Sequence, residues 1–311
     1  MHPPGGGESG PMLLSIVTPC LNRACFIAEA IESVLRQDYP AIEHLVVDGG
    51  STDGTLEVVR RYPSIRVVSE SDQGVYDALN KGIHLARGEV VGHLNSDDVY
   101  ADGIFAEVMR RFEEDPEVEA VYGGATVFEE ASGRRCPMAE YTTTDAVSLS
   151  FPNITLGVPI INARFFRKRL LSRLGDYDLR YAIAADREFL LRVALANIRA
   201  AYLTRPVYHY RQHPGSLSIS PGNPRQARIL DEYLAIAERY GDLPGIPDAL
   251  RVVLRQWHTR ESVERMLLAL RAGECGAALR YVRRGWGRDA AWPAALLGRV
   301  LRRVRRGFRR A

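Results

Sequence analysis

No stretch of this sequence approaches the roughly 20 consecutive apolar residues needed to cross a bilayer, and its longest apolar runs are broken by Arg or Asp. A membrane-spanning helix is therefore not expected. The start, Met1-His2-Pro3-Pro4-Gly5-Gly6-Gly7, has neither the basic region nor the apolar core of a signal peptide. Residues 1–11 read instead as a flexible tail, and the expected compartment is the cytoplasm. Cysteines are few. Cys20, Cys25, Cys136 and Cys275 show neither zinc-ligand pairing nor the spacing of a secreted disulfide framework, and read as ordinary thiols. There is no internal repeat.

What is present suits a soluble globular protein, with 46% hydrophobic and 25% charged residues. At 311 residues the chain can bury one large core, with or without an appendage. The formal charge of +3 hides an asymmetry. Residues 271–311 hold twelve arginines against Glu274 and Asp289, a net of +10, which leaves −7 for residues 1–270. An acidic body and a basic end are expected to do different work.

Along the chain, Leu13 to Thr18 reads as a strand ended by Pro19, which cannot continue a central ladder. Phe26, Ile27, Ala30, Ile31, Val34 and Leu35 fall at helical spacing and predict one buried face. Ile42 to Val47 is a second strand, ending at Asp48, and the turn from Gly49 to Gly54 offers Asp53 as a helix cap. Ile65 to Val68 is a third, followed by a helix with Val75, Leu79, Ile83 and Ala86 inward. Four strand-then-helix units in about 100 residues predict an α/β fold with a doubly wound, mainly parallel sheet. Its strand ends would gather Thr18, Asp48, Glu70 and Asp97 on one edge, where such sheets bind ligands. Later, helices are predicted over Arg164 to Leu174 and Asp186 to Ala196, and strands over Ala200 to Leu203 and Val207 to Tyr210. Residues 12–112 and 113–222 read as two halves of one domain, and residues 223–311 as a helical region ending in a basic amphipathic tail.

The fourth strand stops at Asn95-Ser96-Asp97-Asp98. Adjacent carboxylates at a strand end are costly to hold partly buried without a cation or donors, and hard oxygen ligands suit Mg²⁺ or Mn²⁺. The residues alone leave a second reading open, in which they cap the helix expected from Asp102.

Several ordered motifs carry a resemblance. They are Ser15-Ile16-Val17-Thr18-Pro19-Cys20-Leu21-Asn22, Val47-Asp48-Gly49-Gly50-Ser51-Thr52-Asp53-Gly54-Thr55, the run from Ser71 to Gly82, the Asn95 stretch, and Ala185-Asp186-Arg187-Glu188-Phe189-Leu190. In this order and spacing the chain resembles the family 2 nucleotide-sugar glycosyltransferases of the GT-A fold, of the bacterial cell-surface polysaccharide and glycolipid type. The match runs from about Leu14 to Ser218. The resemblance implies a Rossmann-like GT-A sheet with a C-terminal helical extension, and a hexosyl-transferring enzyme. It implies a UDP or GDP sugar donor, a divalent cation, and a glycan or lipid-linked acceptor.

By the same resemblance Thr18, Pro19, Asn22 and Asp48 surround base and ribose, Asp77 and Lys81 close one side of the donor pocket, and Lys81 and Arg211 reach phosphate. Asn95-Ser96-Asp97 stands where the family has its Asp-X-Asp signature. Asn95 would touch ribose beside Ser96, and Asp97 would hold the metal, with His213 as a second ligand. Asp186 matches the catalytic acid of the Glu-Asp motif, with Ala185 in place of the Glu. It would take the proton from the acceptor hydroxyl in a single, inverting displacement.

Basic and apolar residues mix in the C-terminal tail. Such a tail suits the inner surface of an anionic membrane, and a solvated tail is the other reading. No recognition motif points to nucleic acid. Two rival functions remain at this stage. A nucleotidyltransferase or nucleotide-sugar pyrophosphorylase would want a Gly-rich basic loop after the first strand, which Cys20 to Ala24 is not. A non-catalytic sugar-nucleotide or glycan binding module would fit the changes at Asn95 and Ala185.

Overall fold

The computed structural model describes residues 10–131, 134–216 and 224–299. The expected N-terminal tail, except residues 10 and 11, and the arginines beyond residue 299 lie outside the described residues. Strands β1 (Leu14–Cys20), β2 (Ile42–Asp48), β3 (Arg66–Ser69) and β4 (Val90–His93) pair in parallel, in the order β3-β2-β1-β4. Helices α1 (Ile27–Leu35), α2 (Thr55–Val59) and α3 (Val75–Leu85) connect them. β1 is buried along its whole length, as a strand covered on both faces must be, which is why its sequence is apolar without alternation.

α1 buries Ile27, Ala30, Ile31 and Val34 as expected, while Leu35 turns out to be exposed. Pro19 does not end β1. The pairing with β4 stops at Val17 opposite His93, so the N–H that Pro19 lacks falls where no ladder needs it. α3 packs closely on the sheet at Gly82, where a Cβ would meet Val17 at 2.2 Å.

The second half extends the same sheet. It comprises β5 (Val99–Tyr100), α4 (Phe105–Glu114), β6 (Ala120–Ala131), β7 (Arg134–Tyr141), α5 (Thr144–Val147), α6 (Phe151–Thr155), β8 (Arg164–Arg167), α7 (Lys168–Leu174), α8 (Ala185–Leu195) and β9 (Ala200–Gln212). The sheet continues from β4 through β8, β6 and β9 to β5, with β7 on the side of β6. Two expectations are corrected here. Arg164 to Leu174 divides into β8 and α7, because Arg164-Phe165-Phe166-Arg167 is wholly buried between β4 and β6. The two strands expected between Ala200 and Tyr210 are one, with a register shift against Gly123 and Gly124 that accommodates Pro206.

The C-terminal part forms α9 (Gln226–Gly241), α10 (Asp248–Arg271) and α11 (Cys275–Trp286). Ile236, Ala237, Tyr240, Leu250, Leu254 and Trp257 from the first two share one apolar cluster with Phe189 and Leu190 of α8 and Val17 of β1. No helix among the described residues is long and apolar enough to cross a membrane.

Candidate active site

The carboxyl ends of β1 and β2 carry loops that are tied to each other. Asn22, at φ 53°, takes a left-handed turn that Asn tolerates. Its N–H donates to Ser51 Oγ at 2.8 Å, and its Oδ1 accepts from Thr52 N–H at 2.9 Å. Asp53 accepts from the N–H groups of Ala24 and Thr55, at 3.1 and 3.0 Å, so it serves this junction rather than a ligand. Pro19 and Asn22 line a cleft of about 580 Å³. Thr18 and Asp48, expected to meet the nucleotide, do not line it. Thr18 is buried against His44 Nε2 at 2.8 Å. Asp48 is fully buried and accepts from Gly50 N–H (3.1 Å), Ser51 N–H (3.0 Å) and Ser69 Oγ (2.8 Å), so its oxygens shape the turn.

Asn95, Ser96, Asp97 and Asp98 line the same cleft. The capping reading fails, because β5 intervenes and the next helix begins only at Phe105. Asp98 is 3% exposed and accepts from the Arg211 N–H (2.7 Å), Tyr208 Oη (2.9 Å) and Asn95 Nδ2 (3.0 Å). Burial first, and then the adjacent Asp97 charge, push its carboxyl up to about 8, against the pull of those donors. Asp98 thus holds the turn, and Asp97 faces the cleft. His213 Nδ1 accepts from Gly215 N–H at 3.2 Å, which turns Nε2 toward Asp97, 3.0 Å from its Oδ2. Arg23 Nε lies 3.7 Å from the same oxygen.

Arg211 lines the cleft, but its guanidinium is already engaged. Nε donates to the Asp97 carbonyl at 2.9 Å, and the two terminal nitrogens bond Glu130 and Glu29. These three bonds make Arg211 a brace of the Asp97 turn, a role that the expected phosphate contact did not include.

A second cleft of about 400 Å³ opens from the first, sharing Val75, Asn95, Ala182, Ile183 and Tyr210 with it. Asp186, in the first turn of α8, lines this second cleft. Burial raises its carboxyl above the ordinary carboxylate value, while the charge and N–H of Arg187 and the Tyr76 hydroxyl pull it down. Arg187 points away into the fold, donating to the carbonyls of Ile154 and Thr155 at 2.7 Å each. A carboxylate with a raised pKa that lines a cleft can accept a proton from a hydroxyl placed in that cleft.

Similarity to known proteins agrees with this geometry. The sequence model for glycosyl transferase family 2 matches residues 15–175, just over half of the chain. The chain belongs to that family. It is 33% identical over 186 residues to the PGL/p-HBAD biosynthesis glycosyltransferase of Mycobacterium bovis, covering 58% of this chain and 69% of that one. It is 30% identical over 238 residues to EpsJ of Bacillus subtilis, an uncharacterized glycosyltransferase, and spans 66% of its length. Among solved structures, S. aureus TarS 1-349 in complex with UDP aligns with TM-score 0.62 at 18% identity, covering 92% of this chain and 88% of that one. The mannosyltransferase PcManGT from Pyrobaculum calidifontis, in complex with GDP-Man and Mn2+, aligns with TM-score 0.58 at 20% identity, covering 93% and 87%. These likenesses give this family 2 chain the GT-A fold.

Within that fold, Lys81 and Asp77 also lie off both clefts, as His213 does. Lys81 Nζ is held by Glu70 at 3.0 Å, the Ser71 carbonyl at 2.9 Å and Asp77 at 3.5 Å. Asp77 in turn accepts from Gln73 N–H at 3.0 Å, fixing the entry to α3. Neither side chain lines either cleft, and Asp72 and Gly74 take that place. Lys81 is thus corrected from a phosphate contact to a partner of two acids, and Asp77 to a brace of the same turn. The cations that do line the first cleft are Arg23, Arg225 and Arg228, besides Arg211. Sequence reading missed the first three. Arg23 directly follows a motif residue and was within reach of that reasoning; the other two come from the start of the C-terminal region, which no motif covers. Among the described residues no group of three or more His, Cys, Asp or Glu side chains is placed to hold a metal. Asp97 and His213 supply one carboxylate oxygen and one imidazole nitrogen, enough only for an ion that also binds phosphate and water.

Proposed function

We propose that this family 2 chain is a metal-dependent, inverting glycosyltransferase. It moves a sugar from a nucleoside diphosphate donor to a glycan or lipid-linked acceptor in the synthesis of cell-surface polysaccharide or glycolipid. The observation that carries the reading is the pair of confluent clefts, with Asp97 in the first and Asp186 in the second. The donor would lie in the first, with Pro19 and Asn22 at its base end and Asn95 and Ser96 at ribose. Mg²⁺ or Mn²⁺ held by Asp97 and His213 would offset the charge that grows on the leaving diphosphate. Arg23 adds positive charge on the same side. Asp186 removes the acceptor proton from the opposite face, which inverts the anomeric carbon in one displacement. The known ligands of the structural neighbours, UDP, UDP-GlcNAc and GDP-Man, are the first donors to try.

Nucleotide release from a panel of UDP and GDP sugars with Mn²⁺ tests this. Asp97→Ala and Asp186→Asn should each lower kcat by about a hundredfold or more, the scale of a lost general base. Turnover that survives both substitutions sinks the mechanism, and binding without turnover favours a non-catalytic module.

A membrane-facing role is a second part of the proposal. α11 exposes Leu279 and Trp286 beside Arg280 and Arg283, an arrangement that suits an anionic lipid surface at the inner face of the membrane. Sedimentation with phosphatidylglycerol vesicles should weaken for Trp286→Ala and for a chain lacking residues 299–311. Equal sedimentation of all three proteins removes this part.

A further inference from the structure

The loop that brings Asp186 to the clefts has little of its own to hold it. Its residues are Ala182, Ile183 and Ala184, and Ala184 caps α8 with no side chain that can accept a hydrogen bond. The donors of this loop are met from α9. Glu232 Oε1 accepts from the Ala182 N–H at 3.1 Å, and Oε2 accepts from the N–H groups of Ile183 and Ala184 at 2.9 Å each. From the other side, Tyr76 Oη donates to the Ile183 carbonyl at 2.8 Å. Glu232 is 8% exposed, and Arg228, which lines the first cleft, donates to its Oε1 at 3.0 Å.

A nearly buried carboxylate with four donors has one low-energy position, because moving it strands either its own charge or the peptide N–H groups it serves. Ala182 and Ile183 line both clefts, so fixing this loop fixes the wall they share, three residues before Asp186. We propose that Glu232 is a positioning residue, which holds the 182–184 loop so that Asp186 meets the acceptor hydroxyl in reacting geometry. The proposal rests on Asp186 being the base. It makes α9 part of the active site rather than an appendage to it. A purely structural Glu232 would serve only the packing of α9, and its loss would lower stability while leaving the folded protein's kcat alone.

Glu232→Gln separates these. It keeps the side-chain volume but sets an NH₂ donor against peptide donors. Glu232→Asp keeps the charge with a shorter reach, and carries the comparison if the Gln variant does not fold. The measurements are kcat and KM for release of nucleotide from UDP-GlcNAc and GDP-mannose with Mn²⁺ and water as acceptor, and amide hydrogen exchange, on folded protein. For Glu232→Gln we expect kcat to fall about 10- to 100-fold, the scale of a misplaced catalytic group, with KM for the donor within about twofold. Exchange at residues 182–184 should quicken about tenfold or more while the middle of α8 stays protected. The Asp variant should recover part of the lost kcat. A kcat within about twofold of wild type, or unchanged exchange at 182–184, overturns the proposal. If the wild type turns over neither donor, that counts against these donors or the transferase reading. The exchange comparison then decides alone whether Glu232 holds the loop.

Discussion

Asn95 stands where the resemblance expects an acid, and its neighbours show why an amide serves. Its Nδ2 donates to Asp98, so an Asp at 95 would take away that donor and set another carboxyl against Asp98, beside the charge of Asp97. Burial tunes the other acid. It holds the Asp186 carboxyl above the ordinary Asp value of about 3.9, so the acid limb of the kcat–pH profile should lie above that value; a limb at the ordinary value would show that Asp186 is not the group being titrated. Two histidines bear on stability instead. His44 and His93 are buried, His44 Nδ1 and His93 Nε2 have no hydrogen-bond partner, and burial lowers their pKa to about 3 and about 4. Unfolded, each would titrate near 6.5. Their contribution to stability is therefore whole above about pH 6.5 and is lost as pH falls toward 4, by about 1.4 kcal/mol per unit for each His. Urea unfolding from pH 7 to 4 should show this slope, and His44→Gln should lower it by one proton.

At the scale of elements, the site depends on how closely α3 approaches the sheet. Gly82 lies where a Cβ would meet Val17 at 2.2 Å and Val47 at 3.1 Å. Gly82→Ala gains up to about 1 kcal/mol of helix propensity but must push α3 outward. Overpacking at such a contact costs about 1–3 kcal/mol, so the urea midpoint should fall. Since Val75 and Tyr76 at the start of α3 line the clefts, donor affinity should fall with it; an unchanged midpoint would mean that β1 and β2 give way easily. The motif-bearing elements of the first half were legible because each pairs an apolar run with a turn of Asn, Asp and Gly. β8 was less so, since Arg164 to Arg167 reads as the start of a helix and its arginines are buried by partners elsewhere in the chain. Arg164 donates to the carbonyl of Val147, and Arg167 to those of Val118 and Phe112, partners distant in sequence and absent from any local pattern.

For the whole molecule, the apolar cluster that joins β1, α3, α8, α9 and α10 predicts one cooperative unfolding transition. Trp257 is fully buried in that cluster, so tryptophan fluorescence and far-UV circular dichroism should share a urea midpoint; two midpoints would mark the C-terminal helices as a separate unit. The sequence by itself determined the family and the α/β alternation, and singled out Asp97 and Asp186 as candidates, because those depend on local runs and ordered motifs. Only the tertiary structure decided which acids and cations face the clefts. It turned Asp48, Asp98, Lys81 and Arg211 to bracing roles, brought His213 to Asp97, and set Glu232 against the loop before Asp186. The reason is physical. A charged side chain is oriented by whichever partners the fold brings within hydrogen-bond reach, and those partners lie up to 182 residues away, as Glu29 does from Arg211.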